Sequence, residues 1–245
     1  MSKEDWYRNT KWNDQIESEF EARLKRSRGN YHKAQYLRIQ ASYLLDSDIK
    51  TLQEKGIEFM ERVISDYPEE KSSTIFGNEQ LGEYYLKNNS YNKAEKHFRI
   101  VVEHYYSKNR SGTTGLADLK LCQVILESEQ SEKYDDAYEI ATVRFDKTGG
   151  DLMMNSDKFY YADLMANLCH KLDRKQEASE FAISALELSK ITEPQFNRHK
   201  TVGLIKAKSE QLKRLEIIKE KKSLVTTTAI NNSGLGAKLK NIFKK

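Results

Sequence analysis

Proline, cysteine and long apolar stretches are scarce in this chain, and each scarcity narrows what the chain can be. Only 2 of its 245 residues are proline. Because proline interrupts helices, this rarity favours long continuous helices. No apolar run approaches the roughly 18 residues that a membrane-spanning helix needs, and residues 1–10 show no apolar segment of a secretion signal. We therefore expect a helical protein of the cytoplasm.

Catalytic and metal-binding motifs are also missing. Cys122 and Cys169 each stand alone in an apolar helical pattern, which is typical of buried free thiols rather than of a metal site or a disulfide. There is no phosphate-binding glycine loop, HExxH motif or nucleophile turn. His97 and His104 are seven residues apart, but a metal needs further ligands. His170 adjoins Cys169, yet neighbouring helix residues point about 100° apart. The sequence predicts no enzyme, no cofactor and no metal.

Charged and aromatic residues, in contrast, are abundant, at 32% and 10% of the chain. Charge on outer helix faces, with Tyr and Phe between helices, would produce both values. The net charge of +4 is unevenly distributed, because residues 200–245 carry +9 and the remainder −5. A near-neutral body argues against nucleic-acid binding there, since phosphate contacts need clustered Lys and Arg. The basic end could still dock on a membrane or a nucleic acid.

The clearest pattern is a helical hairpin over residues 81–101, LGEYYLKNNSYNKAEKHFRIV. Apolar and small residues recur at three- and four-residue spacing on both sides of a turn at residues 88–90. Gly82 and Ala94 are the small residues that would let the two helices approach closely. Tyr91 and Ala94 recur at the same offset as Tyr31 and Ala34, and again as Tyr134 and Ala137. Such internal similarity indicates a repeat array. The spacing predicts further helices over residues 14–28, 31–45, 49–66, 114–129, 134–144, 156–172, 175–189 and 196–223.

These residues resemble the tetratricopeptide repeat (TPR) family over about 15–190. The leader Asp-Trp-Tyr-Arg-Asn-Thr-Lys-Trp at residues 5–12 also resembles that of an uncharacterised group of bacterial proteins of this kind. The resemblance implies an all-α, right-handed solenoid of helical hairpins in a cytoplasmic bacterial protein. It also implies that a peptide or partner protein binds along a concave groove lined by the first helix of each hairpin. The matching groove positions are Phe76, Glu79, Glu83 and Lys87, then Tyr160, Asp163, Asn167 and Lys171. Since Glu79 and Glu83 would repel a carboxylate, we do not expect the C-terminal carboxylate clamp of some relatives.

Four segments are expected along the chain. Residues 1–12 form an aromatic leader that packs on the first hairpin around Phe20 and Leu24 and thereby caps it. Residues 13–190 form the repeat domain, 191–223 a capping helix, and 224–245 a flexible linker with a short basic amphipathic tail. The alternative for the leader is a partner-binding patch of Trp6, Tyr7, Arg8 and Trp12. In the tail, Leu239, Ile242 and Phe243 share one helical face, with Lys240 and Lys244 beside it.

The function expected from these features is that of a non-catalytic scaffold or adaptor for a protein partner. Two alternatives remain: a regulatory repeat protein that senses a peptide or ligand, and an adaptor that docks to a membrane or nucleic acid through its basic tail. The oligomeric state and the identity of the partner do not follow from the sequence.

Overall fold

The computed structural model describes residues 5–107 and 110–220, and it divides the chain into two compact units, Met1–Val124 and Ile125–Lys245. The described residues contain helices, turns and a single isolated bridge between Phe196 and His199, but no strand of a sheet. No helix among them is long and apolar enough to cross a membrane. The all-α class expected from the sequence is therefore confirmed for the described residues.

Helices fill most of both units. Those of the first unit are α1 (Asp14–Arg26), α2 (Asn30–Leu45), α3 (Lys50–Asp66), α4 (Lys71–Lys87), α5 (Tyr91–Tyr105) and α6 (Ala117–Glu127), the last of which runs past the boundary. The second unit begins within α6 and continues with α7 (Tyr134–Glu139), a π-helical segment (Ile140–Arg144), α8 (Phe145–Lys147), α9 (Asn155–Lys171), α10 (Lys175–Ser189) and α11 (Ser209–Glu220).

In the first unit, α2 pairs with α3 and α4 pairs with α5. Glycine permits the close approach in both pairs. A Cβ on Gly56 of α3 would lie 2.9 Å from the Leu45 side chain of α2, and a Cβ on Gly82 of α4 would lie 2.8 Å from the Phe98 ring of α5. The sequence pattern makes the helix at residues 31–45 a member of two hairpins, one with the helix before it and one with the helix after it. The pairing of α2 with α3 is confirmed, whereas α1 contacts α2 far less. Gly56, the small residue that lets α2 approach closely, lies on α3. Helix α2 is therefore the first helix of its hairpin, and α1 precedes the pair.

A short polar side chain starts α1. Asn13 has extended backbone angles, and its side chain accepts a hydrogen bond from the backbone N–H of Ile16 at 2.9 Å. This contact satisfies one of the amide groups that a helix start leaves without a partner. On the buried side of α1, Phe20 stacks on Phe59 of α3 with ring centroids 5.2 Å apart. Helix α1 is thus attached to α3 through side chains.

The turns after α4, α6 and α9 share one geometry. Each places a non-glycine residue in the left-handed region two positions beyond the helix, at φ 55° to 56°. The next amide then donates back to a carbonyl near the helix end, which is the Schellman arrangement. The three left-handed residues are Asn89, Glu129 and Asp173, and the three donated bonds run from Ser90 to Tyr85 (2.8 Å), Gln130 to Ile125 (3.2 Å) and Arg174 to Cys169 (2.9 Å). The hairpin turn recognised at residues 88–90 therefore recurs twice.

In the second unit, α9 packs along α10, and α11 packs along α10 with further contacts to α9. The predicted long helix over residues 196–223 is shorter, because helical structure begins only at Ser209. Gly203 has a φ of +73°, which a helix does not allow. Gln195 ties the preceding segment to the loop before α9, since it accepts from Asn155 N–H at 2.8 Å and donates to the Met153 carbonyl at 2.9 Å.

Candidate functional site

An open groove of about 400 Å³ lies on the first unit, between the outward faces of α2, α4 and the first part of α6. Helices α2 and α4 are each the first helix of a packed pair, α2 with α3 and α4 with α5. The residues that line it are mostly polar or charged: Ser42, Leu45, Asp46, Gln80, Glu83, Tyr84, Leu86, Lys87, Lys120 and Gln123.

Two of the four positions predicted on α4 line this groove, namely Glu83 and Lys87. Glu83 is half-buried and Lys87 is exposed. Phe76 lies two helical turns before Glu83 and is half-buried, with the guanidinium carbon of Arg38 over its ring at 4.3 Å from the centroid. These three side chains therefore follow one face of α4.

Glu79 departs from that prediction, because its side chain is fully buried. Its carboxylate oxygens accept hydrogen bonds from the backbone N–H of Thr114, at 2.9 and 3.1 Å, and from the Thr114 hydroxyl at 2.7 Å. Burial raises the pKa of Glu79, and these hydrogen bonds act in the opposite direction. The residue fixes the segment that leads into α6, so it is not exposed to a partner.

The segment before α6 is held by a second buried charge. Asp118 forms an ion pair with Arg110 at 2.6 Å, and both side chains are largely buried. The Arg110 guanidinium also lies over the Tyr105 ring, 4.2 Å from its centroid. Burial raises the pKa of Tyr105 to about 12, and its hydroxyl lies 2.8 Å from the Thr113 hydroxyl. These contacts fix the segment before α6 and leave little of the charge accessible.

The predicted site residues of the second unit lie along α9, and one of them is also buried. Asp163 binds α11, because its carboxylate accepts from Arg214 at 3.1 Å and from Gln211 at 3.0 Å. Asp163 therefore holds α11 in place. The sequence predicted an exposed side chain here, and that prediction is wrong. Asn167 donates to the Asp163 carbonyl at 2.7 Å, and exposed Lys171 lies 3.5 Å from Glu129. Tyr160 is half-buried on the same helix.

The aromatic leader lies against the first helices. Trp6 and Trp12 are half-buried, and their rings lie 5.2 and 5.5 Å from the Phe20 ring. Tyr7 packs on Tyr36 of α2 at 4.6 Å. Arg8 is exposed and is 3.5 Å from Asp5.

A buried amide fixes the leader to α2. Gln40 is fully buried, and its side-chain oxygen accepts from both the backbone and the side-chain nitrogen of Asn9, each at 2.9 Å. Its nitrogen donates to the Asn9 carbonyl at 2.7 Å. The bond set ties the leader backbone to the hairpin. The tail residues Leu239, Lys240, Ile242, Phe243 and Lys244 lie outside the described part of the chain.

Several groove residues escaped the sequence prediction, among them Ser42, Asp46 and Gln80. Groove positions on α2 were not assigned, because the sequence pattern left α2 in two hairpins, as the second helix after α1 and as the first helix before α3.

The histidine and cysteine residues singled out for chemistry have structural surroundings. Within residues 5–107 and 110–220, no group of three His, Cys, Asp or Glu side chains could hold a metal ion. His97 is half-buried against Asn78, and burial lowers its pKa to about 4. Cys122 and Cys169 are both buried, and burial raises the pKa of Cys169 to about 12. A thiol with so high a pKa stays protonated at neutral pH and is a poor nucleophile.

No protein-family model matches this chain, and neither the curated proteins nor the solved structures include one that matches it.

Proposed function

We propose that this chain is a non-catalytic binding protein that holds a segment of a partner protein in the groove between α2, α4 and α6. The observation that carries the proposal is the composition and position of the groove. It combines side chains of both signs: Asp46 directly after α2, Glu83 and Lys87 on α4, and Lys120 on α6. A TPR-like array, in which the first helices of successive hairpins line the binding surface, is part of the same proposal.

Charge pairing within the first unit supports this role for two of these residues. Neither Glu83 nor Lys87 forms an ion pair or a side-chain hydrogen bond with any residue that the structure describes. Elsewhere in the unit, comparable side chains do pair, as Glu17 does with Lys55 and Glu21 with Arg62. Charges left without partners in a groove are available to a ligand, and their contribution to stability is small. The groove polarity also favours a polar peptide segment over a purely apolar one.

The test is a charge reversal with a matched control. The double variant Glu83→Lys with Lys87→Glu keeps the net charge and inverts the groove pattern. The control, Glu103→Lys with Lys96→Glu, makes the same exchange at exposed positions of α5, which does not line the groove. A photocrosslinking residue at Gln80 captures the partner from cells, and mass spectrometry quantifies it.

We expect the groove variant to lose the crosslinked partner by at least about tenfold, which corresponds to about 1.4 kcal/mol. The α5 control should retain it, and both variants should melt like the wild type. If the groove variant captured as much partner as the wild type, the charges of the groove would not contribute to partner binding and the proposal would be wrong.

A further inference from the structure

Arg38 stands out because its guanidinium is partly buried without an acidic partner. Its Nε atom is buried and has no hydrogen-bond partner among the described residues. Two other arginines of this unit with partly or largely buried side chains bind carboxylates, Arg62 with Glu21 and Arg110 with Asp118. Burial lowers the pKa of Arg38, as expected for a cation that has lost water and gained no counter-charge.

The Arg38 side chain is nevertheless held in place. Its guanidinium carbon lies 4.3 Å from the centroid of the Phe76 ring, which is a close cation–π distance. Arg38 is on α2 and Phe76 is on α4, so the contact bridges the first helices of two successive hairpins. An ordered guanidinium loses less freedom when it binds an anion, and its planar fork matches a carboxylate.

This contact continues the groove along both helices. Ser42 lies four residues after Arg38 on α2, and Gln80 lies four residues after Phe76 on α4; both line the groove. The two contacts show that α2 and α4 run side by side in the same direction. Residues four apart share a helix face. The unpaired guanidinium therefore lies one helical turn beyond the groove end marked by Ser42 and Gln80.

We propose that Arg38, stacked on Phe76, anchors the carboxylate of an Asp or Glu side chain in a peptide segment of the partner protein. This inference rests on the proposed function and names the chemistry of its ligand. A single guanidinium matches a singly charged carboxylate. The acidic Asp46 and Glu83 farther along the groove disfavour a doubly charged phosphate.

The groove also suggests the spacing of charges on the ligand. Asp46 follows Arg38 by eight residues, which is about 12 Å along a helix at about 1.5 Å per residue. An extended peptide covers that distance in about four residues, at about 3.3 Å each. A ligand that meets Arg38 with Asp or Glu should thus present Lys or Arg about four residues away, opposite Asp46 and Glu83.

The experiment selects peptides from a random display library on the full chain. Only those whose binding is lost in the Glu83→Lys, Lys87→Glu groove variant are kept. The peptides are synthesised with blocked ends, so that side chains alone supply carboxylates. Their affinities are measured by fluorescence anisotropy against wild type, Arg38→Gln and Arg38→Lys. The matched control is Arg23→Gln, which removes another half-buried arginine, one that lies over the Trp6 ring at 6.0 Å.

We expect the selected peptides to be enriched in Asp or Glu with a basic residue about four positions away. Arg38→Gln, or Glu→Gln in the peptide, should each weaken binding about tenfold or more, and the two changes together should weaken it little further. Arg38→Lys should restore part of the loss, and Arg23→Gln should bind normally. The Nε–H signal of Arg38 should shift on peptide addition in the NMR spectrum of the wild type.

Groove-dependent peptides with no acidic preference, which also tolerate Arg38→Gln, would overturn the inference and leave the proposed function standing. A phosphoserine at the acidic position that binds more tightly than Glu would overturn the carboxylate assignment. If no selected peptide is sensitive to the groove variant, the proposed function and the inference both fall.

Discussion

Gly82 of α4 lies directly against the Phe98 ring of α5, so that a Cβ at residue 82 would come within 2.8 to 3.0 Å of three ring carbons. Phe98 is fully buried and cannot move aside into solvent. The approach of the two helices in this hairpin is therefore set by a missing side chain, and the core on that side has no room for another methyl group.

Gly82→Ala should destabilise the protein by about 1–3 kcal/mol, the usual cost of overpacking a core. Gly77 on the same helix is the matched control. Its Cβ would meet the flexible Met60 side chain at 3.3 Å, so Gly77→Ala should be neutral or gain up to about 1 kcal/mol from helix propensity. Urea denaturation of the two variants measures the contrast. Equal midpoints for both would contradict the close contact at Gly82.

Trp12→Ala should destabilise the first unit by about 3 kcal/mol, the lower end for removing a large aromatic, since the side chain is half-buried. The Trp12 ring touches Phe20 of α1 at 5.5 Å and Phe59 of α3 at 5.2 Å, and its N–H donates to Glu17 at 3.0 Å. Trp12→Phe keeps the ring contacts and should lose only about 1 kcal/mol with the hydrogen bond. Thermal melts that do not distinguish Trp12→Ala from wild type would favour the partner-patch alternative for the leader.

His97 should make the fold sensitive to acid between about pH 6.5 and pH 4. The unfolded chain takes up a proton on this ring near pH 6.5, whereas burial keeps the folded ring neutral until about pH 4. The folded pKa is lowered, so protonation favours unfolding and stability falls as the pH drops through this window. Asn78 donates to the Thr74 carbonyl, which leaves its oxygen to accept from the His97 Nδ1–H at 3.0 Å.

The variant His97→Gln removes the titrating group, and exposed His199→Gln is the control. Denaturant unfolding of each variant at a series of pH values gives the slope of stability against pH. The slope between pH 4 and 6.5 should decrease in His97→Gln and stay as in wild type in His199→Gln. An unchanged slope in His97→Gln would show that this ring gains its proton equally well in both states.

Asp163→Asn should loosen α11 selectively. The change weakens two charge-assisted bonds from Arg214 and one bond from Gln211, and we expect a loss of about 1–3 kcal/mol in the stability of that helix. Amide exchange at Leu215 and Ile218 should accelerate, while amides of α2 to α5 stay protected. The surface pair Glu187–Lys190 gives the control Glu187→Gln, which should have no measurable effect. Equal amide-exchange rates at Leu215 and Ile218 in Asp163→Asn and in the wild type would show that α11 is held by its apolar face alone.

The helices themselves were largely predictable, because their apolar spacing and turn residues are local signals. The predicted limits of α5 and α10 are close to those observed. They came from the turn at residues 88–90 and from the apolar spacing around Ala94 and Ala178. The sequence pattern left α2 in two hairpins, one with α1 and one with α3, since a small residue marks a close contact but not the partner that fills it. Gly56 resolves the choice only once its neighbours are known.

The candidate site was predicted in part, and the errors share one cause. Helical spacing placed Glu79 on the same face as Glu83, and Asp163 on the same face as Asn167. It could not foresee that the segment before α6 would cover the first carboxylate, or that α11 would cover the second. Both carboxylates accept hydrogen bonds from a segment that comes later in the chain than the adjoining helix.

The tertiary hydrogen bonds described above connect parts of the chain that are close in sequence. Asn9 and Gln40 are separated by 31 residues, Glu79 and Thr114 by 35, and even Asp163 and Arg214 by only 51. Contacts of short sequence separation form quickly, because little chain entropy is lost when they close. During synthesis, each hairpin can therefore acquire its stabilising contacts soon after it leaves the ribosome, without waiting for the far end of the polypeptide.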